Sequence, residues 1–242
     1  MTSRKSGGAR ETFRTVLYAV LIALVIRTFA YEPFNIPSAS MMPTLLIGDY
    51  LFVSKFSYGY SRYSLPFGPP LFDGRIFESM PERGDVAVFR KPTGDHEDYI
   101  KRIVGLPGDT IQVIGGILHI NGAAVERRQI EDYIDSTGRS YRQYIETLPN
   151  GVEHRIFEVQ GDGGGFDNTE PFVVPEGHFF AMGDNRDNSR DSRTTEVGFV
   201  PMENLVGRAE FIFLSADSTA EWLLPWTWFT AIRYERLFEA VR

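Results

Sequence analysis

Three short stretches carry residue types able to perform acyl transfer. In the first, Ser38 and Ser40 flank Ala39 between Pro37 and Pro43. Proline before and after restricts the backbone, so the hydroxyls there are held rather than free. A serine on a stiff turn, beside backbone N–H groups and a second hydroxyl, can be a nucleophile next to an oxyanion hole. The same stretch also reads as a polar turn ahead of the apolar, alternating run that ends at Val53. The second, Asp98-Tyr-Ile-Lys-Arg-Ile-Val-Gly-Leu-Pro-Gly-Asp109, carries a lone lysine, Lys101, in an otherwise apolar strand. A lysine is a general base only when neutral, so its ordinary pKa of about 10.4 must fall by several units, which desolvation can achieve. Tyr99, Ile100, Ile103 and Val104 offer that setting, and alternation turns Arg102 to the opposite face. A neutral amine would take the proton from a serine hydroxyl and later activate a water for deacylation.

The third stretch, Gly183-Asp-Asn-Arg-Asp-Asn-Ser-Arg-Asp-Ser-Arg193, has too many turn-forming Asx and serine residues for a strand. It reads as a hydrogen-bonded loop. A buried amine without a partner is costly, and this loop could supply an orienting hydroxyl with a carboxylate–guanidinium brace. Other chemistries find less support. The 242 residues contain no cysteine, which excludes disulfides, thiolate metal sites and a cysteine nucleophile. His96, His119, His154 and His178 lack the short spacings of zinc sites and read as surface or turn histidines. No nucleotide-binding glycine loop is present. The net charge of −7, without a basic tract, argues against nucleic-acid binding. No metal and no cofactor is expected.

The elements that must position these residues are mainly β. Glycine, proline and aromatics are plentiful, and long helical periodicity is confined to the two ends. A basic leader (Arg4, Lys5, Arg10, Arg14) precedes an apolar block, and 13–31 is long enough for a membrane helix, with Arg14 and Arg27 near its ends. The leader places residues 1–12 in the cytoplasm and everything after the block outside. A removable signal peptide and a buried core helix are the rival readings. The bulky residues Tyr31 to Phe34 speak against cleavage, and the missing polar face speaks against burial, so an uncleaved anchor is expected. Residues 54–81 read as an extended aromatic loop and 83–90 as a strand. Asn121-Gly122 signals a hairpin, and 161–166, rich in glycine, reads as a flexible linker. Residues 110–170 form an inserted β subdomain between the two parts of a catalytic core, 32–109 and 171–214. The arm 215–242 holds all three tryptophans. A bilayer interface and packing on the domain are both open for it.

Four stretches, Ile36-Pro-Ser-Ala-Ser-Met-Met-Pro-Thr-Leu45, Arg83-Gly-Asp-Val-Ala-Val-Phe89, Tyr99 to Asp109 and Gly183 to Arg193, together resemble the boxes of bacterial type I signal peptidases. Their order after an anchor matches as well. The resemblance implies an antiparallel, signal-peptidase-like β core behind one transmembrane helix in the inner membrane. It implies a serine endopeptidase that removes signal peptides from exported preproteins after an Ala-x-Ala-like site. It assigns Ser40 as nucleophile, Lys101 as general base, and Ser38 with the Ser40 N–H as oxyanion hole. Ser189 would orient the lysine, and Asp191 with Arg193, in the same loop as Asp184, would support it. Phe34, Ile36, Met41, Leu45, Leu51, Val88, Tyr99 and Ile100 would line shallow pockets for an extended substrate added to a sheet edge. One departure is Ala39, where many members carry glycine; alanine fits if the backbone there avoids positive φ. Another anchored Ser–Lys processing protease, or an anchored β-rich binding module without catalysis, are the alternatives.

Overall fold

The structure is a computed structural model that describes all residues except 1–7, 67, 70, 95, 96, 136, 162, 218 and 221–223. Among the described residues, a single long helix, α1 (Gly8–Phe29), precedes fifteen strands. The first group is β1 (Tyr31–Asn35), β2 (Asp49–Ser54), β3 (Val86–Arg90) and β4 (Asp98–Gly105). Then come β5 (Thr110–Ile114), β6 (Ile117–Ile120), β7 (Ala123–Ala124), β8 (Glu126–Gln129), β9 (Tyr133–Ile134), β10 (Ser140–Thr147) and β11 (Glu153–Glu158). The last are β12 (Phe172–Val173), β13 (His178–Met182), β14 (Val200–Pro201) and β15 (Leu205–Ser215).

α1 is long and apolar enough to cross a membrane. Its apolar side chains are exposed along its length, so no other part of the described chain covers them. The helix begins earlier than expected and ends at Phe29, and Tyr31 already belongs to β1.

The main sheet has seven antiparallel strands in the order β1-β2-β15-β3-β4-β13-β14. β3 explains its central place: alternation sends Val86 and Val88 into one core cluster with Met41, Leu45, Leu51 and Ile212, and Ala87 and Phe89 into another with Ile103 and Phe179. Both faces are buried, so the strand is nearly all apolar. β13 pairs only with the Arg102–Gly105 end of β4, whereas β3 runs along β4 as far as Asp98. The Asp98–Lys101 half of β4 is therefore without a strand partner on its β13 side, among the described residues.

The segment expected as an insert forms two small sheets, one of β12-β5-β6-β7 and one of β11-β10-β8 with β9 on β10. The Asn121-Gly122 turn joins β6 to β7 with both residues at positive φ, as this tight hairpin turn requires. The insert is not packed apart from the main sheet. Ile111, Leu118, Val125 and Leu148 share one core cluster with Val104, Phe180 and Met182. Two sequence expectations need correction. The glycine-rich stretch expected as a flexible linker is not slack over 163–166: Gly164 N donates to Asp167, and a Cβ on Gly164 would lie 2.4 Å from Asp187 Oδ1. His154 is not a surface histidine but is buried beside Glu146 and Asp184. The 54–81 loop is anchored, with the Arg75 guanidinium donating to the carbonyls of Tyr58, Gly59, Met202 and Leu205. His96 lies outside the described residues.

Beyond β15 the chain turns back, and Phe238, Glu239 and Val241 make backbone hydrogen bonds to Ile212 and Glu210. This packs the end of the arm on the domain, while Trp226 (65% exposed) and Phe229 (75%) point outward. Trp222 lies outside the described residues.

Candidate active site

Ser40 sits in a single 3₁₀ turn, Ala39–Met41, whose preceding residue Ser38 is extended at φ −128°. Pro37 and Pro43 bracket this turn. Its φ-restricted neighbours and the loop 183–193 fix it from two sides. Asn185 N donates to Ser40 O (3.1 Å) and Asn185 Nδ2 to Ala39 O (3.0 Å). Gly183 is required by sterics: a Cβ there would stand 2.2 Å from Ser189 Oγ and 2.4 Å from Ser40 O. Ala39 has no positive φ, so its side chain costs nothing there.

Lys101 reaches this turn from β4. Its Nζ lies 2.7 Å from Ser40 Oγ and donates to Ile100 O at 2.7 Å. The side chain is 4% exposed, with Nζ 5.3 Å from the Tyr99 ring centre. Burial pulls the amine down from 10.5 to about 8, against the opposing pull of Asp191 and Asp184. Ser38 Oγ is 3.3 Å from Ser40 Oγ. The three expected groups therefore converge on one point.

Around them the loop is tied by buried charge pairs. Arg193 grips Asp191 with two bonds of 2.8 and 2.9 Å, and Asp191 accepts from Gly183 N. Asp184 does not touch the lysine. It is held by two bonds from Arg102 (2.7 and 2.9 Å), the residue that alternation turns away from Lys101. Arg102 also donates to Gly84 O, which closes the loop onto the start of β3. Burial alone would raise the Asp184 and Asp191 carboxyls, but these guanidiniums hold both below the usual range. The Ser189 hydroxyl is buried and makes no hydrogen bond to the amine, although it lies on the same wall of the pocket.

The cavity in front of Ser40 has a volume of about 680 Å³. Phe34, Ile36, Val88, Tyr99 and Ile100 line it as expected. Met41, Leu45 and Leu51 do not. They are fully buried in the core cluster that also holds Ile36 and Val88. An apolar pattern marks such residues as inward but does not say how many layers deep.

Sequence reasoning also missed three contributors. Asn185 holds the serine turn. Phe166, from the glycine-rich stretch, lines the cavity and stands 5.0 Å beneath the Arg193 guanidinium. β11 braces the loop through Phe157, whose N–H donates to Asp184 O and whose carbonyl accepts from Arg186 N. Arg186 is in turn gripped by both carboxylate oxygens of Glu146 on β10. Burial would raise that carboxyl, yet Arg186 and His154 keep it well below its ordinary value. Only the Asx-rich composition of 183–188 hinted at such contacts. Their partners lie far away in sequence.

A serine hydroxyl within hydrogen-bond reach of a buried, weakly basic amine, beside a second hydroxyl and an apolar cleft, suits nucleophilic attack on a carbonyl. Comparison with known proteins agrees. Residues 9–214 match the family described as signal peptidase, peptidase S26. Signal peptidase I of Rickettsia canadensis is 48% identical over 217 residues, covering 86% of this chain and 81% of that protein. The Rickettsia typhi protein of the same name is 46% identical over 217 residues, covering 87% and 82%. A crystal structure of a signal peptidase I from Enterococcus faecalis is 28% identical, covers 54% of this chain and 97% of that one, and has a TM-score of 0.34. The family match spans the anchor-like helix, the serine turn, the lysine strand and the 183–193 loop alike, and the chain belongs to the signal peptidase family, peptidase S26, a family of serine peptidases.

Proposed function

We propose that this chain is a membrane-anchored endopeptidase that removes signal peptides from exported preproteins by a Ser–Lys dyad. The observation that carries the reading is the 2.7 Å approach of Lys101 Nζ to Ser40 Oγ inside a site that lowers the amine's pKa. Neutral Lys101 takes the Ser40 proton as Oγ attacks the scissile carbonyl carbon. The oxyanion that forms is met by the Ser40 N–H and the Ser38 hydroxyl. Lys101 then gives its proton to the leaving amine, which departs with the mature protein. The acyl-enzyme is cleared when the lysine, neutral again, takes a proton from the attacking water and returns it to Ser40 Oγ as the Ser40–acyl bond breaks and the signal peptide leaves.

An extended signal peptide fits beside the open half of β4, Asp98–Lys101, where backbone pairing would set its register. The shallow apolar wall of Phe34, Ile36, Val88 and Ile100 suits alanine-sized side chains and thus an Ala-x-Ala-like cut. α1 would cross the inner membrane with the basic leader in the cytoplasm, placing the β core outside. The outward Trp226 and Phe229 would then lie near the bilayer surface.

The test is cleavage of a purified preprotein bearing an Ala-x-Ala site, in detergent, by the wild type, Ser40→Ala and Lys101→Met. Cutting after the small residue by wild type alone supports the dyad. Equal behaviour of all three would leave an anchored binding module as the better reading.

A further inference from the structure

Four of the buried acids near the site have an arginine or a serine hydroxyl bonded to them. Asp184 has Arg102, Asp191 has Arg193, Glu146 has Arg186, and Asp49 has Ser215 and Arg236. Glu158, the last residue of β11, is different. It is 1% exposed, and neither carboxylate oxygen accepts a hydrogen bond. The closest cation is Arg127, whose Nη1 stands 3.7 Å from Oε1, beyond hydrogen-bond range, and donates to Gly116 O instead. Arg186, next along the loop, is occupied by Glu146. Leaving a carboxylate buried in this way is costly.

Two more acids also face Glu158. Asp167 follows the glycine-rich turn, and Asp187 belongs to the catalytic loop. One carboxylate oxygen from each of the three lies within 4.8 Å of the others. That is the separation expected of oxygens sharing one ion at about 2.3–2.6 Å. Local bonds already hold two of these carboxylates in place: Gly164 N donates to Asp167 Oδ2, and Gln160 N donates to Asp187 Oδ2 at 2.6 Å. Asp187 Oδ1 is buried without a hydrogen-bond partner.

We propose that Glu158, Asp167 and Asp187 bind a hard divalent cation of the calcium type, which ties β11 and the glycine turn to the catalytic loop. An all-oxygen donor set selects hard cations, and calcium accepts irregular geometry where magnesium demands an octahedron. The cation takes no part in the Ser40–Lys101 chemistry. Its effect is on the pocket wall, because Phe166 lies between the glycines and Asp167 and lines the cleft. The expectation of no metal rested on histidine and cysteine spacing, which cannot reveal three carboxylates brought together from separate segments.

The experiment uses the full chain in detergent, stripped with EDTA and dialysed, then titrated with CaCl2 or MgCl2 by calorimetry and thermal unfolding. One Ca2+ per chain is expected. The wild-type Tm should rise by several degrees once free Ca2+ exceeds its dissociation constant about a hundredfold, and Mg2+ should do much less. Glu158→Gln should lose the Ca2+-dependent rise while folding about as well as wild type in EDTA, since neither Glu158 oxygen accepts a hydrogen bond that the amide would lose. A wild-type Tm unmoved by Ca2+, or an equal rise in the variant, overturns the proposal. If Glu158→Gln does not fold, Asp187→Asn replaces it, and a retained Ca2+ shift there overturns the proposal in the same way.

Discussion

Replacing Lys101 with methionine should abolish cleavage and at the same time make the protein more stable at neutral pH. The amine is buried, and its pKa falls from 10.5 to about 8. At ~1.4 kcal/mol per unit, that fall means roughly 3 kcal/mol spent to keep the charged form inside below pH 8. Methionine fills a similar volume without charge. It loses the contacts to Ser40 Oγ and Ile100 O, which would return about 1 kcal/mol or so each. A net gain of about 1–2 kcal/mol is expected at pH 7. The folded pKa lies below the unfolded one, so between about 8 and about 10.5 the unfolded chain holds more protons and the wild type gains stability as pH rises. The gap to Lys101→Met is therefore constant below about pH 8, closes by about pH 9 and reverses above it. Urea unfolding of both proteins at pH 7 and pH 10, in the same detergent, measures it. A variant less stable by the same amount at both pH values would show that the amine is not penalised by burial, and the argument for a neutral base would fall with it.

Three further outcomes follow from the same geometry. Wild-type kcat/KM should climb with pH through the lysine's value near 8, dropping about tenfold for each unit below it; a flat profile from pH 6 to 9 contradicts a lysine base. Ser38→Ala removes one oxyanion donor and should lower kcat about 10²–10³-fold with KM little changed, read from steady-state cleavage. Gly183→Ala forces a Cβ against Ser40 O and Ser189 Oγ, so it should cost about 1–3 kcal/mol of stability together with most of the activity. An unaffected melting curve would mean the turn has more room than its contacts imply.

Much of the site was legible because its chemistry is local. Pro37 and Pro43 around two serines announce a held turn, and Lys101 within Tyr99–Val104 announces a buried amine. The Asx-rich run announces a loop with internal bonds. The mainly antiparallel β architecture was legible for the same reason, from alternation in 50–53 and 86–89 and from the Asn121-Gly122 turn. What escaped is set by contacts between distant segments. Asn185 looks like any loop asparagine until Ala39 and Ser40 are placed beside it. Phe166 sits in a glycine run whose composition suggests slack, yet Asp187 packs against Gly164 and takes the slack away. Met41, Leu45 and Leu51 are apolar near the nucleophile, and only the full sheet shows them beneath the cleft rather than in its wall. His154 carries no local mark of burial at all.

On the proposed function, the junction between α1 and β1 would also constrain which bonds can be cut. The helix stops at Phe29 and the edge strand begins at Tyr31, with no hinge segment between them. Lys55 N donates to Ala30 O and Tyr60 OH donates to Phe29 O, so the joint is clamped to the domain. Fully stretched, the chain from Phe29 to Ser40 reaches no more than about 36 Å at ~3.3 Å per residue. On the proposed function, with α1 in a bilayer, Ser40 would work on a short, stiff leash. Only peptide bonds emerging within that height of the membrane surface would come within its reach, which would add selection by depth to selection by side chain.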